Sequence, residues 1–349
     1  MPAAIAPSAP RPGVRSERAS LQVAFDAGHL LERGTDVALY DYAVGNEEQL
    51  GNRSRILCPA QADLSALDKF RARFSVLLYR DRSDLERCLA DVDVYYRIDH
   101  GQRPAEPLPR PPYGRTVVHC VFTAHEPHGD VYAAVSSWVA RHRGVPGQPP
   151  CPVVPHIVQL PRVDGDLRAV LGIPAGATVF GRHGGPDTFD LPFVHQEVLH
   201  AVQQRDDLWF VFLNTRPFAP PHPRIVHLDK TTDLAAKARF VQTCDAMLHA
   251  RADGESFGLA VGEFSVHDKP VVTWLGGHDR YHLEVLGPKG IYYRDANDLR
   301  RILRVFRPVQ GDFDAYSAPF SPAVVMRQFD AVFLQGAAAG AARSTRSGL

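Results

Sequence analysis

Short apolar runs alternate with amphipathic stretches along almost the whole chain. LQVAF at 21–25 predicts a strand and GTDVALYDYAVGNEEQL at 34–50 a helix. SRILC, a helix from Asp63, FSVLLY, a helix near Ser83 and VDVYYRI continue the rhythm. After the proline-rich RPAEPLPRPPYGR come two further strands, TVVHCVF and DVYAAVS. CPVVPHIVQLP at 151–161 breaks the pattern, because its prolines oppose a helix and favour an extended connection. The rhythm then restarts with a helix from Asp164 and a strand in ATVFGRHGG. A helix begins near Asp190, with Pro192 in its first turn and Val194, Val198, Ala201 and Val202 on one face. Strands LWFVFL and RIVHL, a helix capped by Thr231 or Thr232 and running through Gln242, and strands DAMLHA and KPVVTW follow. Helices near 295–306 and 322–334 close the chain.

This β-α-β order predicts an α/β protein of two doubly wound, Rossmann-like domains facing across a cleft, with ligands beyond the carboxyl ends of the strands. The boundaries expected are an N-terminal domain over 20–155, a C-terminal domain over 156–320, and a closing helix over 321–335 that returns to the first domain. Residues 1–19 read as a disordered leader and 336–349 as a flexible tail.

Composition removes several function classes. Lysine plus arginine equals aspartate plus glutamate at 39 each in 349 residues, so no global field draws the chain to nucleic acid or an anionic membrane. No apolar run approaches the roughly 18 residues of a transmembrane segment. Five dispersed cysteines without a CxxC pair suit reduced thiols and a cytoplasmic setting. The histidines of HCVFTAHEPHGD match no established zinc spacing, so neither metal nor cofactor is expected.

The chemistry concentrates in RADGESFGLAVGEFSVHDKPVVTW, which opens at Arg251. ARADGES is the loop at the carboxyl end of the DAMLHA strand, and a helix is expected to start near Ser256–Gly258. Glu255 then projects from the strand–helix turn, and Glu263 lies about one and a half turns into the helix. Between them the backbone amides of Ser256, Phe257, Gly258 and Leu259 are helix-start donors, and Gly258 permits close approach of a ligand. An anion site flanked by two carboxylates suits a nucleoside diphosphate joined to a sugar. Gly34 and Thr35 open the first helix and offer a second backbone surface toward diphosphate and acceptor.

Glu-x7-Glu between a DAMLHA-like and a KPVVTW-like strand resembles the retaining nucleotide-sugar glycosyltransferases of the GT-B fold, specifically the "glycosyltransferase group 1" (family four) class. FGRHGG, VVPHIVQLP, HCVF and LERGTDVALYDYA are similar, in order, to further family segments from about residue 20 to about 335. The resemblance implies that Glu255 contacts the transferred sugar, Glu263 binds the ribose hydroxyls, Arg182 neutralises the diphosphate, and His119 lies against the donor sugar. It also implies retention of configuration without a metal ion. GRHGGPDTFD carries Asp187 and no lysine where the family usually has one, so Lys230 or Arg251 is expected to supply the phosphate cation. Thr231 and its DKTTD loop are expected near the base, and a GDP-sugar is mildly preferred from the LYDYA, PHGDVYA and TFDLPFVH variants. The acceptor is expected to be a hydroxyl on a glycan or small molecule, in polysaccharide or glycan synthesis. Alternatives are a non-hydrolysing nucleotide-sugar epimerase of the same fold and a non-catalytic nucleotide-sugar-binding module. No G-x-G-x-x-G follows the first strand, which excludes a dinucleotide dehydrogenase of the usual kind.

Overall fold

The computed structural model describes residues 20–335, so the expected leader and tail lie outside the described residues. The first half builds strands β1 (Gln22–Asp26), β2 (Arg53–Pro59), β3 (Ser75–Tyr79), β4 (Val94–Asp99), β5 (Arg115–Cys120) and β6 (Val131–Ala134). The second builds β7 (Thr178–His183), β8 (Leu208–Leu213), β9 (Ile225–Leu228), β10 (Ala246–His249), β11 (Gly254–Glu255), β12 (Val271–Trp274), β13 (Asp279–Arg280) and β14 (Gly290–Tyr293). Helices α1 (Gly34–Glu48), α2 (Leu67–Arg71), α3 (Arg82–Cys88) and α4 (Ser137–His142) belong to the first half. They are followed by α5 (Pro192–Gln204), α6 (Leu234–Thr243), α7 (Leu259–Ser265), α8 (Tyr281–Leu286), α9 (Ala296–Val305), α10 (Ser317–Phe320) and α11 (Pro322–Phe329).

Two six-stranded sheets result, ordered β3-β2-β1-β4-β5-β6 and β14-β12-β10-β7-β8-β9. Every pairing within them is parallel, as helices between the strands require. Strands covered on both faces must be apolar throughout, and β1 and β7 are buried over their whole length. The strand order reverses between β1 and β4 in one sheet and between β7 and β10 in the other. Those two points are where such sheets open a crevice for a ligand.

The connection at 151–161 is extended and largely buried. Val154 N donates to the Ala134 carbonyl at 3.0 Å, Tyr42 Oη donates to the Pro155 carbonyl at 2.9 Å, and Val158 N donates to the Phe320 carbonyl at 2.9 Å. After α10 the chain returns to the first sheet: Phe329 packs 5.2 Å from both Tyr42 and Tyr96, and Phe333 lies 5.6 Å from Tyr96.

Local differences from the sequence expectations have identifiable causes. No helix forms from Asp164: Gly165 and Gly172 adopt φ of 78° and 67°, and Leu167 N is taken by Thr243 Oγ1. The helix expected from Asp63 starts only at Leu67, after a turn in which the Asp63 carboxylate accepts from Ser65 N. Asp233, not Thr231 or Thr232, caps α6 by accepting from Ala235 N, while Thr231 Oγ1 accepts from Asp233 N. The helix after β10 starts at Leu259, because Gly258 sits at φ 91° and belongs to the turn. Residues 322–334 are not one regular helix, since α11 passes into a π-helical turn over Asp330–Leu334.

Candidate functional site

A cleft of about 520 Å³ runs between the two sheets at their reversal points. His29 and Gly34–Thr35 line it beyond β1, Arg182 and His183 at the end of β7, and His249 and Arg251 at the end of β10. Glu255, Ser256, Phe257, Gly258, Leu259 and Glu263 complete the wall on the second side. Gly34 and the start of α7 face each other closely: a Cβ on Gly34 would stand 3.5 Å from Leu259 Cδ1. A wider groove of about 740 Å³ lies elsewhere, between His267–Lys269 and Pro308–Asp312, and contains none of these groups.

Glu255 is set by its short strand β11, which pairs with β13. Its two oxygens take different partners, Oε1 lying 3.2 Å from His249 Nε2 and Oε2 accepting from Arg251 at 3.0 Å. Burial alone would raise its pKa, but His249 and Arg251 outweigh burial and hold it down at about 2. Behind it runs a buried chain in which His249 Nδ1 is 2.9 Å from Thr273 Oγ1, and Thr273 Oγ1 is 3.2 Å from His282 Nε2. The result is a carboxylate fixed in orientation and ionised at neutral pH.

Glu263 sits one turn into α7, with its side chain 5% exposed. Lys237 of α6 donates to Oε1 at 2.5 Å, and His183 Nε2 lies 2.9 Å from Oε2. Burial is again opposed, here by Lys237 and His183, and the pKa falls to about 2. Asp41 of α1 approaches the same group from the first half of the chain. Burial drives its pKa up to about 7 against the pull of Lys237 and Lys69.

Arg182 is almost fully buried, with its guanidinium fixed by the Gly185 carbonyl, Thr215 Oγ1 and Thr188 Oγ1. Burial lowers its pKa to about 10, which leaves it fully charged. Gly181 before it cannot carry a side chain, because a Cβ there would lie 2.1 Å from Cys244 Sγ. A cation so held meets a developing negative charge without reorganisation.

The structure therefore brings together Glu255, Glu263, Arg182, Arg251, Ser256, Phe257, Gly258, Leu259, Thr231, Gly34 and Thr35. It separates two others. His119 is fully buried beneath the cleft and does not line it; Nδ1 is 2.7 Å from Tyr96 Oη, and burial pushes its pKa down to about 4. His156 takes the position at the cleft instead, 5.9 Å from His119 and 5.0 Å from Phe257, ring centre to ring centre. Lys230 pairs with Glu32 at 3.3 Å across the two halves and does not line the cleft. Asp187, the residue in place of the expected lysine, pairs with Arg216 at 2.8 Å.

Sequence reasoning missed His29, Lys69, His156, His183 and Lys237, all lining the cleft. His29 and His183 carried a legible signal, being polar residues at or just beyond the end of a sheet strand. Lys237 carried none, because a lysine on a helix surface is the commonest arrangement for that residue.

No known family model matches the chain, and no curated protein matches it in sequence. Solved structures do match in fold. Anabaena HepE, solved in complex with UDP-glucose, superimposes with a TM-score of 0.61 at 13% identity over 93% of this chain and 100% of that one. AviGT4, a glycosyltransferase involved in avilamycin A biosynthesis, gives 0.61 at 17% identity over 91% and 98%. The lipopolysaccharide outer core galactosyltransferase WaaB gives 0.56 at 12% over 90% and 100%. The chain thus has the GT-B fold, with its sheets facing across the cleft described above.

Proposed function

We propose that this protein is a retaining glycosyltransferase that moves a sugar from a nucleoside-diphosphate sugar to an acceptor hydroxyl in glycan or polysaccharide synthesis. One observation carries the proposal: two ionised glutamates and two arginines converge in one cleft at both reversal points of the sheets. Glu263 accepts hydrogen bonds from the ribose, and Glu255 from hydroxyls of the transferred sugar. Arg182, Arg251 and the amides of the Gly258–Leu259 turn neutralise the diphosphate. As the glycosidic bond breaks, charge grows on the leaving phosphate, so fixed cations favour the transition state over the ground state. Arg251 takes the place of the expected family lysine, since it lines the cleft and Lys230 does not. The place against the donor sugar expected for His119 passes to His156, which lines the cleft.

A thermal-shift panel of GDP, UDP, ADP and dTDP tests the binding half of this proposal, because a ligand bound to the native state raises its apparent stability. At least one is expected to shift the transition; none doing so removes the nucleotide site. The GDP preference expected from the sequence finds no support in HepE, which was solved in complex with UDP-glucose. A second reading, a non-hydrolysing epimerase, draws support from ionisable groups beyond the glutamates, His29 and Asp36 among them. Incubating the protein with donor alone separates the two, since only an epimerase interconverts it.

A further inference from the structure

We propose that Arg143, in the first half of the chain, is a positioning residue for Glu255: by holding Asp279 it fixes the short strand against which Glu255 is laid. The inference rests on the contact between Glu255 and the transferred sugar proposed above. Both Nε and Nη2 of Arg143 donate to Asp279 Oδ1, at 3.1 and 3.0 Å. Arg143 ends α4, and its carbonyl accepts from Ala124 N at 2.7 Å, just past Val121 and Phe122 of the cleft lining. Asp279 opens β13 and stands opposite Gly254 of β11, with Glu255 the next residue in the ladder.

The ladder of β11 and β13 is two-stranded and two residues long, so it needs an anchor outside itself. Its backbones are pressed together: Gly254 has φ 75°, and a Cβ there would lie 2.0 Å from the Asp279 carbonyl oxygen. Asp279 N also donates to the Asp253 carbonyl at 2.8 Å. At that spacing a displaced Asp279 displaces Gly254 and Glu255 with it. The chain leaving β13 enters α8, whose His282 ends the buried run from Glu255 through His249 and Thr273. Asp279 therefore bears on Glu255 twice, through the backbone ladder and through the residues that back its carboxylate.

A neighbouring ion pair supplies the contrast. Arg141 of α4 donates to both oxygens of Glu284 on α8, at 3.0 and 2.9 Å. Those side chains are 46% and 39% exposed, and pairs so open to water contribute little. The Asp279 side chain is 11% exposed, and a carboxylate so enclosed is kept by its partner. A pair serving only to join the halves would do so equally well at the surface, as Arg141 and Glu284 do. Arg143 instead reaches the backbone segment that carries Glu255.

Paired ligands separate the sugar's contribution from the nucleotide's, and no acceptor need be identified. The full chain is titrated calorimetrically with UDP and UDP-glucose, GDP and GDP-mannose, ADP and ADP-glucose, and dTDP and dTDP-glucose. Arg143→Met is expected to weaken nucleotide-sugar binding about 10-fold or more, as Glu255→Gln does, while the nucleoside diphosphate binds as before. Arg143→Gln is read in its place where Arg143→Met does not fold. Asp279→Asn is expected to act in the same direction, Arg143→Lys to recover part of the loss, and Arg141→Met to change neither ligand. Adding Arg143→Met to Glu255→Gln is expected to cost nothing further, because both act through one carboxylate. Wild-type affinity for the nucleotide sugar in the Arg143 variant overturns the assignment and leaves the transferase function standing. So does an equal loss for the nucleoside diphosphate, the same loss in Arg141→Met, or a loss that persists in full beside Glu255→Gln. Wild-type sugar affinity in Glu255→Gln removes the contact on which the inference rests. A wild-type protein that binds none of these ligands overturns the transferase function and the inference with it.

Discussion

Lys237 and Glu263 meet at 2.5 Å inside the cleft wall, each in a different helix of the second half of the chain. Glu263 is buried and the Lys237 side chain largely so, and Asp41 and Lys69 from the first half lie close enough to act on them electrostatically. Removing the cation leaves buried carboxylates uncompensated. Lys237→Met is therefore expected to destabilise the fold by about 3–5 kcal/mol, measured by urea denaturation, with Lys237→Arg recovering much of the loss. An unchanged midpoint would mean the lysine is dispensable to the pair.

Each oxygen of Glu263 keeps a lone pair beyond the one its protein partner uses. Glu263→Ala is expected to weaken nucleotide binding by about 1–3 kcal/mol through lost hydrogen bonds to the ribose, read by isothermal titration. Nucleotide affinity equal to wild type would take Glu263 out of the donor site.

Glu255 differs in being held by His249 and Arg251, and its proposed contact is to the transferred sugar. Glu255→Gln keeps its shape and removes its charge. Turnover is expected to fall by about 100-fold or more if the lost stabilisation is on the order of 3 kcal/mol, while the nucleoside diphosphate binds as before. Wild-type turnover in this variant would be incompatible with its proposed contact to the sugar.

Stability should depend on pH with two limbs of opposite sign. Asp41 is raised from 3.8 to about 7 and Asp36 from 3.8 to about 6, so the folded state binds their protons more tightly and gains stability as pH falls through that window. Glu255 and Glu263 are lowered from 4.5 to about 2, so the stability they contribute is present above 4.5 and lost as pH falls toward 2. Buried His119 and His282, lowered from 6.5 to about 4 and about 3, lose stability as pH falls below 6.5 and oppose the aspartates. The Asp41 contribution is therefore read as the Tm of wild type minus that of Asp41→Asn, which is expected to grow from about pH 8 to about pH 5. A difference that stays constant over that range would assign the effect to other groups.

Gly181 precedes the buried Arg182, and its missing side chain leaves the space that Cys244 Sγ fills. Gly181→Ala is expected to cost about 1–3 kcal/mol by overpacking. Gly176, with open space around its Cβ position, serves as the control and should tolerate alanine. Equal denaturation midpoints for the two variants would refute the packing argument.

Most strands were legible in the sequence, because a parallel strand covered on both faces must be an unbroken apolar run and a helix between strands must be amphipathic. Glu255 and Glu263 were legible for a related reason: both lie in one strand–turn–helix segment, whose local geometry places them on a common wall. The turn at Asp164–Gly172 was not, since its helix-like composition yields to two left-handed glycines and a distant threonine hydroxyl. Nor was the fate of His119, whose strand-end position fits a ligand contact equally well until Phe333 and His156 close over it.

The sequence by itself determined two parallel-sheet units, an extended seam between them and an acidic pair eight residues apart beside a glycine turn. These rest on periodicity and neighbouring residues, which act over short chain distances. Only the tertiary structure decided which cations face the pair, that the His29 imidazole meets the Asp36 carboxylate at the opposite wall, and that Lys230 pairs with Glu32 outside the cleft lining. The physical reason is that charge pairing and desolvation depend on distance in space, and those partners are far apart along the chain.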